Sequence, residues 1–590
     1  MKSTPETKAK SPLFKLIGNT HGLDIQSEER ILEEGLIEYC YRINAPEGTP
    51  ISPLKFQCTY PAKDIQGVWH PNSLHDKRLR ADWEAPSLGS RVSVGAPVIS
   101  LFGNQDHNRL TLACSEVVEL VLLEAPVREE DNLIYASVEF FTEYSDLAKE
   151  YEIRILVDKR VQPFYLSLKE VSNWWNGFER LKAPISPPAA YDAVYSTWYA
   201  YHQSLDPDEL MAECREAVKL GYKTIILDDG WQTEDSNRGY DFTGDWEAQR
   251  LTEMEKLVAD IHGLGMKVML WYSVPFCGVK SKAYQRFKGK FLTENHRWAP
   301  VFDPRYPEVR KYLVETYAKA LIDWNLDGFK LDFIDDFKVY PETPAGKVEG
   351  RDFASIYKAT EQLLGEIHER LTGIKPDVLI EFRQEYVGPI VQKHANMFRA
   401  FDCPNDAVTN RIRTTDLRLL TAEAAIHSDM FTWHPDEEVE IAALQILNIL
   451  FSVPQLSVRL NETSEAHVEM IKFLTNYWNK RREVFMHGNF EAFRPLANYP
   501  LLKGDKDGVL ILASFENQVL TWEERYDQVD LVNAGPEDRM YVRFDQNATP
   551  FELKVYDCKG NERSRDLIHP RKGILEIEVP HSGLAMLDFR

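Results

Sequence analysis

The chain has 590 residues, 44% of them hydrophobic, and a formal net charge of −23. That length exceeds one ordinary domain and implies about two to four, with enough apolar material to bury a large core. So acidic a surface repels phosphate backbones, which argues against nucleic acid as a partner and suits a neutral ligand.

The N-terminal stretch MKSTPETKAKSPLF lacks an apolar run of signal-peptide length. No stretch of about 18 apolar residues follows anywhere, so no membrane span is expected. The seven cysteines, Cys40, Cys58, Cys114, Cys214, Cys277, Cys403 and Cys558, are odd in number and never in CxxC spacing. They indicate neither a disulfide framework nor a zinc site and fit a reducing compartment. A cytoplasmic protein without cofactor or metal is expected.

Residues 1–188 read as β. Short apolar runs alternate with turn residues: LIEYCYRI, VSVGAPVISLF, LTLAC, VVELVLLEA, LIYASVEFF and YEIRILV. This spacing predicts a β-sandwich. The prolines of ERLKAPISPPAAYD cannot continue a helix or a central strand and mark a linker.

Residues 189–487 change character. Candidate strands are VYSTWY (194–199), TIILDD (224–229), KVMLWYS (267–273), GFKLDF (328–333), VLIEFR (378–383), MFRAFD (397–402), DMFTW (429–433) and QLSVRL (455–460). Helical patterns fill most gaps, such as DPDELMAECREAVKLG and FASIYKATEQLLGEIHERLTG. Asp206 and Pro207 make a helix N-cap and first position, and Gly221 and Gly265 stand where C-terminal glycines belong. Eight strand–helix units predict a (β/α)8 TIM barrel in a multidomain α/β chain. An open doubly wound sheet would carry a Gly-rich phosphate loop after its first strand, and none is present. Residues 488–590 return to β patterning (GVLILASF, MYVRFD, FELKVYD, ILEIEVP, GLAMLDF) and predict a small C-terminal β-sandwich.

In a TIM barrel the chemistry sits at the C-terminal ends of the strands. Here those ends carry Asp228 and Asp229 on strand 2, Lys330 and Asp332 on strand 4, Glu381 and Arg383 on strand 5, and Arg399 and Asp402 on strand 6. A lone Asp at such a position can simply cap the next helix. Several acids converging on one mouth raise one another's pKa and need a further reason. Glycoside hydrolysis supplies one: a carboxylate stabilises or attacks the sugar cation while a second acid protonates the leaving oxygen. Asp228 and Asp229 can accept two sugar hydroxyl protons side by side. Lys330 lies on the same face as Asp332 and can keep it ionised. The 13 Trp, 26 Tyr and 29 Phe are numerous enough to include platforms for sugar faces. Trp271 and Trp433 on strands 3 and 7, and Trp198 and His202 just past strand 1, are candidates for such contacts.

These residues resemble the melibiase-type α-galactosidases of the clan D retaining glycoside hydrolases. The order is Asp228-Asp229-Gly230-Trp231, then Gly244-Asp245-Trp246, GMKVMLW (265–271), Asp327-Gly328-Phe329-Lys330-Leu331-Asp332, and Arg399…Asp402…Asp406. The resemblance implies an N-terminal β-supersandwich, a barrel and a C-terminal β-sandwich. It implies Asp332 as nucleophile and Asp402 as acid/base, their carboxyls about 5–5.5 Å apart as retention requires. Asp228 and Asp229 then hold sugar hydroxyls, with Lys330 and Trp231 beside them, and Arg399 contacts substrate near the acid/base.

The chain departs from the family in places. After the strand 5 glutamate the family has a cysteine and paired glycines; this chain has Phe382-Arg383-Gln384-Glu385-Tyr386. Leu331 replaces an aromatic, Ile334 an asparagine, and Asp406 lies four residues after Asp402 rather than three, which makes it a rival acid/base. Asp332, Asp335 and Asp336 form a D-x-x-D-D run that a hard cation such as Ca²⁺ can use, with a solvated loop as the simpler reading. His427 and His434, flanking strand 7, are spaced too widely for an ordinary ligand pair.

The expected function is an exo-glycosidase removing terminal α-linked galactose or a related sugar from an oligosaccharide or small glycoside. A homo-oligomer is compatible with it. A shift to another α-glycoside, transglycosylation, and non-catalytic carbohydrate binding on the same scaffold are the alternatives.

Overall fold

The computed structural model describes residues 13–46, 51–143, 150–237, 239–346, 348–421, 424–523 and 525–589. Residues 1–12, read above for a leader, lie outside the described residues. No described helix is long and apolar enough to cross a membrane.

Alternation of period two builds the first region. In Leu54–Pro61, Leu54, Phe56 and Cys58 are buried while Lys55 and Gln57 between them are partly exposed. Two six-stranded antiparallel sheets face each other. Between them lies a core that includes Phe56, Ile134, Val138, Leu112, Ile153 and Ile155. The helix Phe164–Asn176 follows and leads toward the barrel.

The barrel strands are β1 (Val194–Ser196), β2 (Thr224–Leu227), β3 (Lys267–Ser273), β4 (Gly328–Asp332), β5 (Leu379–Arg383), β6 (Met397–Arg399), β7 (Ala425–His427) and β8 (Gln455–Leu456). All are parallel, each beside its sequence neighbour, with β8 against β1. Isolated parallel bridges His427–Val453 and Phe431–Leu456 complete the ring. Nearly every strand residue is buried, as a sheet covered by helices on one face and packed on itself on the other requires. The helix Pro207–Lys219 starts as anticipated: Asp206 accepts from the main-chain N–H groups of Asp208 and Glu209 at 2.9 and 3.1 Å.

Three strands differ from expectation. β1 ends at Ser196 and the chain turns into the helix Trp198–Tyr201. β8 stops after two residues. The seventh strand is not 429–433 but Ala425–His427, so DMFTW begins beyond its end. Local propensity does not discriminate AAIH from DMFTW; the hydrogen-bond register with β6, which pairs Met397 with Ala425 and Arg399 with His427, does.

The C-terminal region is a seven-stranded sheet with a three-stranded one against it, around Leu510, Leu512, Val529, Leu531 and Leu553. All three regions meet at Asp416, on the helix Ala407–Leu420. Its Oδ1 accepts from Trp69 Nε1 at 2.9 Å and from Tyr499 Oη at 2.5 Å. Lys77 Nζ lies 3.5 Å from Oδ2, both side chains fully buried.

Asp416→Ala leaves the Lys77 ammonium in a dry interior without a counter-charge, which costs about 3–5 kcal/mol. A clear fall in the thermal unfolding midpoint is expected. Asp416→Asn, which keeps the shape and an oxygen for Trp69, should fall less. An Asp416→Ala protein as heat-stable as the parent contradicts this account.

Candidate active site

The strand ends converge on one cavity of about 360 Å³, lined by Trp198, Asp228, Asp229, Tyr240, Trp271, Arg297, Trp298, Lys330, Asp332, Phe333, Arg383, Phe401 and Asp402. Larger clefts of about 630 and 770 Å³ lie elsewhere and contain no barrel-strand residue.

Asp332, the last residue of β4, is 6% exposed. Its Oδ2 accepts from Trp271 Nε1 at 3.0 Å and its Oδ1 from the Phe333 main-chain N–H at 2.8 Å. Arg383, from β5, pairs with Oδ1 and reaches Asp335 at 3.4 Å. Burial disfavours the charge on Asp332, but Arg383, Lys330, the Trp271 hydrogen bond and Arg399 outweigh it and hold the carboxyl well below the usual range. The next residue, Phe333, has φ +64. A bulky side chain in the left-handed region stores about 1–3 kcal/mol of strain and persists where packing over-determines it. Here the ring lies against Tyr240 and Phe276 and beneath the Arg383 guanidinium, 4.9 Å away.

Across the cavity, Asp228 Oδ2 accepts from Lys330 Nζ at 2.7 Å. Asp229 accepts from Gln203 and Gln232 at 2.7 and 2.6 Å, and burial pushes its carboxyl up to about 6 despite these donors. Gly230 makes the turn: it has φ +118, and a Cβ there would stand 2.6 Å from Gln203 Cα.

Asp402 follows β6 by three residues and opens to the cavity, its side chain 43% exposed. Arg399 Nη2 donates to it at 2.8 Å. Burial works against its ionisation, but Arg399, Lys330 and Arg383 hold its carboxyl below the usual range.

The cavity thus brings together Asp228, Asp229, Trp198, Trp271, Lys330, Asp332, Arg383 and Asp402 of the anticipated residues. It does not gather the others. Trp231 is fully buried among Trp246, Tyr272 and Trp324 and donates its N–H to the Trp271 carbonyl at 2.9 Å, so it packs the barrel and does not face a ligand. Glu381 and Arg399 lie beneath the floor, 3.6 Å apart, with Gln455 on Glu381. His202 is exposed outside the cavity, its ring 4.8 Å from that of Trp198. Asp406 accepts from the Thr409 main-chain N–H at 2.9 Å and its hydroxyl at 2.6 Å; as the cap of the helix Ala407–Leu420 it is spent on the backbone and is no rival for Asp402. Trp433 stacks on His467, away from the cavity. His427 is buried within β7, 2.8 Å from the Ala190 carbonyl oxygen, while His434 is exposed. Asp335 and Asp336 are packed rather than solvated: Asp336 meets Lys338 at 2.9 Å and His296 at 3.6 Å. Among the described residues no group of three or more His, Cys, Asp or Glu is arranged to hold a metal ion.

Sequence reasoning missed Tyr240, Arg297 and Trp298, which come from long loops without periodic pattern, and Tyr199, half-buried beside the site. It also missed Asp429, fully buried two residues past β7. A correct placement of β7 would have revealed it as one more acid at a strand end.

Residues 190–385 match the family model described as Melibiase. Asp402 and Asp429 lie beyond the matched segment. The A type blood α-D-galactosamine galactosaminidase of Flavonifractor plautii is 25% identical over 176 residues, 25% of this chain and 15% of that protein. Among solved structures, α-galactosidase AgaA of Geobacillus stearothermophilus superposes with a TM-score of 0.66 at 15% identity, over 98% of this chain and 82% of that one. The α-galactosidase of Lactobacillus brevis gives 0.66 at 14% identity, over 96% and 80%. The chain therefore spans most of the length of these structures but matches only a small part of the curated relative. The family match over the segment that carries Asp228, Asp229, Trp271, Lys330, Asp332 and Arg383, on a fold shared nearly end to end, places this chain in the melibiase family of clan D glycoside hydrolases.

Proposed function

We propose that the chain is a retaining exo-glycosidase that removes terminal α-linked galactose, or a closely related sugar, by double displacement. The observation that carries the reading is the cavity itself, in which Asp332 and Asp402 share one wall-to-wall space with the Asp228–Lys330 pair and Asp229. Asp332, held ionised, attacks the anomeric carbon and forms a glycosyl ester. Asp402 gives its proton to the departing oxygen. It then takes a proton from water, whose oxygen attacks the same carbon and releases Asp332. Both transition states carry positive charge on the sugar ring, which the carboxylate-rich site stabilises. Asp228 and Asp229 accept sugar hydroxyl protons, Lys330 donates to sugar oxygens, and Trp271, Tyr240 and Trp298 offer apolar faces.

AgaA has been crystallised with 1-deoxygalactonojirimycin, and variants of it with raffinose and stachyose. Those ligands support a galactose-type subsite and an oligosaccharide substrate. Arg383, where the resemblance implies small residues, favours a related reading in which the sugar differs from galactose near its reacting carbon. A soluble, intracellular enzyme acting on short glycosides, alone or as a homo-oligomer, fits this reading.

Asp332→Ala should lower turnover by about 10³-fold or more while the protein stays folded. Azide, entering the vacated face, should restore turnover and yield a glycosyl azide of opposite anomeric configuration. Normal turnover in Asp332→Ala ends the mechanism. A panel of nitrophenyl α-galactoside, α-N-acetylgalactosaminide, α-glucoside and β-L-arabinopyranoside assigns the sugar, and silence across it favours a binding protein.

Arg383→Met removes the cation beside Asp332, so the nucleophile's pKa rises. The acid limb of kcat/KM against pH should move up by about 1–3 units. An unmoved limb means that Arg383 does not hold the nucleophile ionised.

A further inference from the structure

Arg399 is shared by three carboxylates, and only one of them faces the cavity. Its Nη2 donates to Asp402 at 2.8 Å, its Nε lies 3.6 Å from Glu381, and its Nη1 pairs with Asp429. Asp429 and Glu381 are fully buried. The remaining oxygen of Asp429, Oδ2, accepts from the Cys403 main-chain N–H at 2.6 Å and from Tyr199 Oη at 2.9 Å. Its own backbone is gripped by Asn410, which donates to the Asp429 carbonyl at 3.1 Å and accepts from its N–H at 3.0 Å. The segment from Asp402 to Asn410 therefore folds around Asp429.

We propose that Asp429 is a positioning residue for proton transfer: it anchors Arg399 and the Cys403 turn, and so fixes where Asp402 stands and which charge it meets. The inference rests on the reading of Asp402 as the acid/base.

The charge pattern explains why an acid is needed there. Asp402 faces Arg399 from β6, Arg383 from β5, and Lys330 and Asp332 from β4, with Tyr199 and Asp429 behind Arg399. Three cations clamp a carboxylate in its ionised form, and an ionised group cannot protonate a leaving oxygen. Asp429 offsets the nearest of them without entering the cavity. Burial and the nearby Asp402 charge push the Asp429 carboxyl up, against Arg399, so the two acids lose their protons as a pair. The pair retains one proton to higher pH than Asp402 would alone.

The test is Asp429→Asn, which keeps the side chain's shape. Wild-type and variant kcat/KM are measured on raffinose, with a poor leaving group, and on nitrophenyl α-galactoside, with a good one. A loss on raffinose at least about 10-fold greater than on the nitrophenyl substrate is expected, since only the poor leaving group needs full protonation. The basic limb of the pH profile should move down. Equal losses on both substrates with an unmoved limb would falsify the proposal and leave Asp429 a structural residue. Tyr199→Phe, which removes one donor to Asp429, should show the same changes in smaller degree, and it serves where Asp429→Asn fails to fold. A third readout needs no turnover. The ¹³C carboxyl shift of Asp402, assigned with Asp402→Asn, should show an upper titration step in the wild type that is absent in Asp429→Asn. If the wild type cleaves none of the α-glycosides, the enzymatic reading fails by itself, while an upper step that persists in Asp429→Asn overturns the pairing.

Discussion

The mouth of the barrel depends on three buried cations. Lys330, Arg383 and Arg399 are 3%, 5% and 1% exposed, and each has at least one carboxylate as partner. Without them, Asp228, Asp332, Glu381 and Asp429 would be like charges packed in a space that excludes water, and most would take up protons. The cations let the acids remain charged and near one another. Ionised carboxylates are what a cationic transition state needs around it, so the constraint that permits folding also prepares the chemistry.

The cations are not equivalent. Lys330 is a point charge on Asp228, with Asp332 two residues on along the same strand face. Arg383 presents a planar fork to Asp332 and Asp335 and is sandwiched against Phe333 and Phe401. Arg399 spreads its donors over the floor of the site. A lysine at 383 or 399 would reach one acid and leave another unpaired. This division of labour also explains the opposite leanings of the acids: Asp332 is held well below the usual range, while Asp229, given two amide donors but no cation of its own, is pushed up to about 6.

The support extends outward. Phe333 accepts a strained backbone because Tyr240 and Phe276 pack its ring. Tyr240 comes from the loop after β2 and also stacks near Trp271, so one loop residue braces the residue after Asp332 and the indole that donates to it. The helix Ala407–Leu420 carries Asn410, which grips Asp429, at one end and Asp416, the meeting point of the three regions, further along. The flanking β regions therefore bear on the same helix that borders the site.

The parallel barrel, the acids at the ends of strands 2, 4, 5 and 6, and the melibiase resemblance were all legible in the residues themselves. Short β-branched runs between capped amphipathic helices permit few other folds, and the side-chain period of a strand puts Lys330 and Asp332 on one face. The seventh strand was not legible. AAIH and DMFTW have comparable propensity, and only pairing with β6 chooses between them; the choice moved Asp429 from the start of a strand to the chemical end of one. Nor did sequence distinguish the side chains that share a strand end. Asp406 and Asp402 differ by four positions, yet one closes a helix and the other opens to the cavity, because the chain turns around Asp429 between them. Local pattern determined which residues lie near the mouth. The direction each side chain takes from there depended on hydrogen bonds to partners tens to hundreds of residues away, and only the tertiary structure decided those.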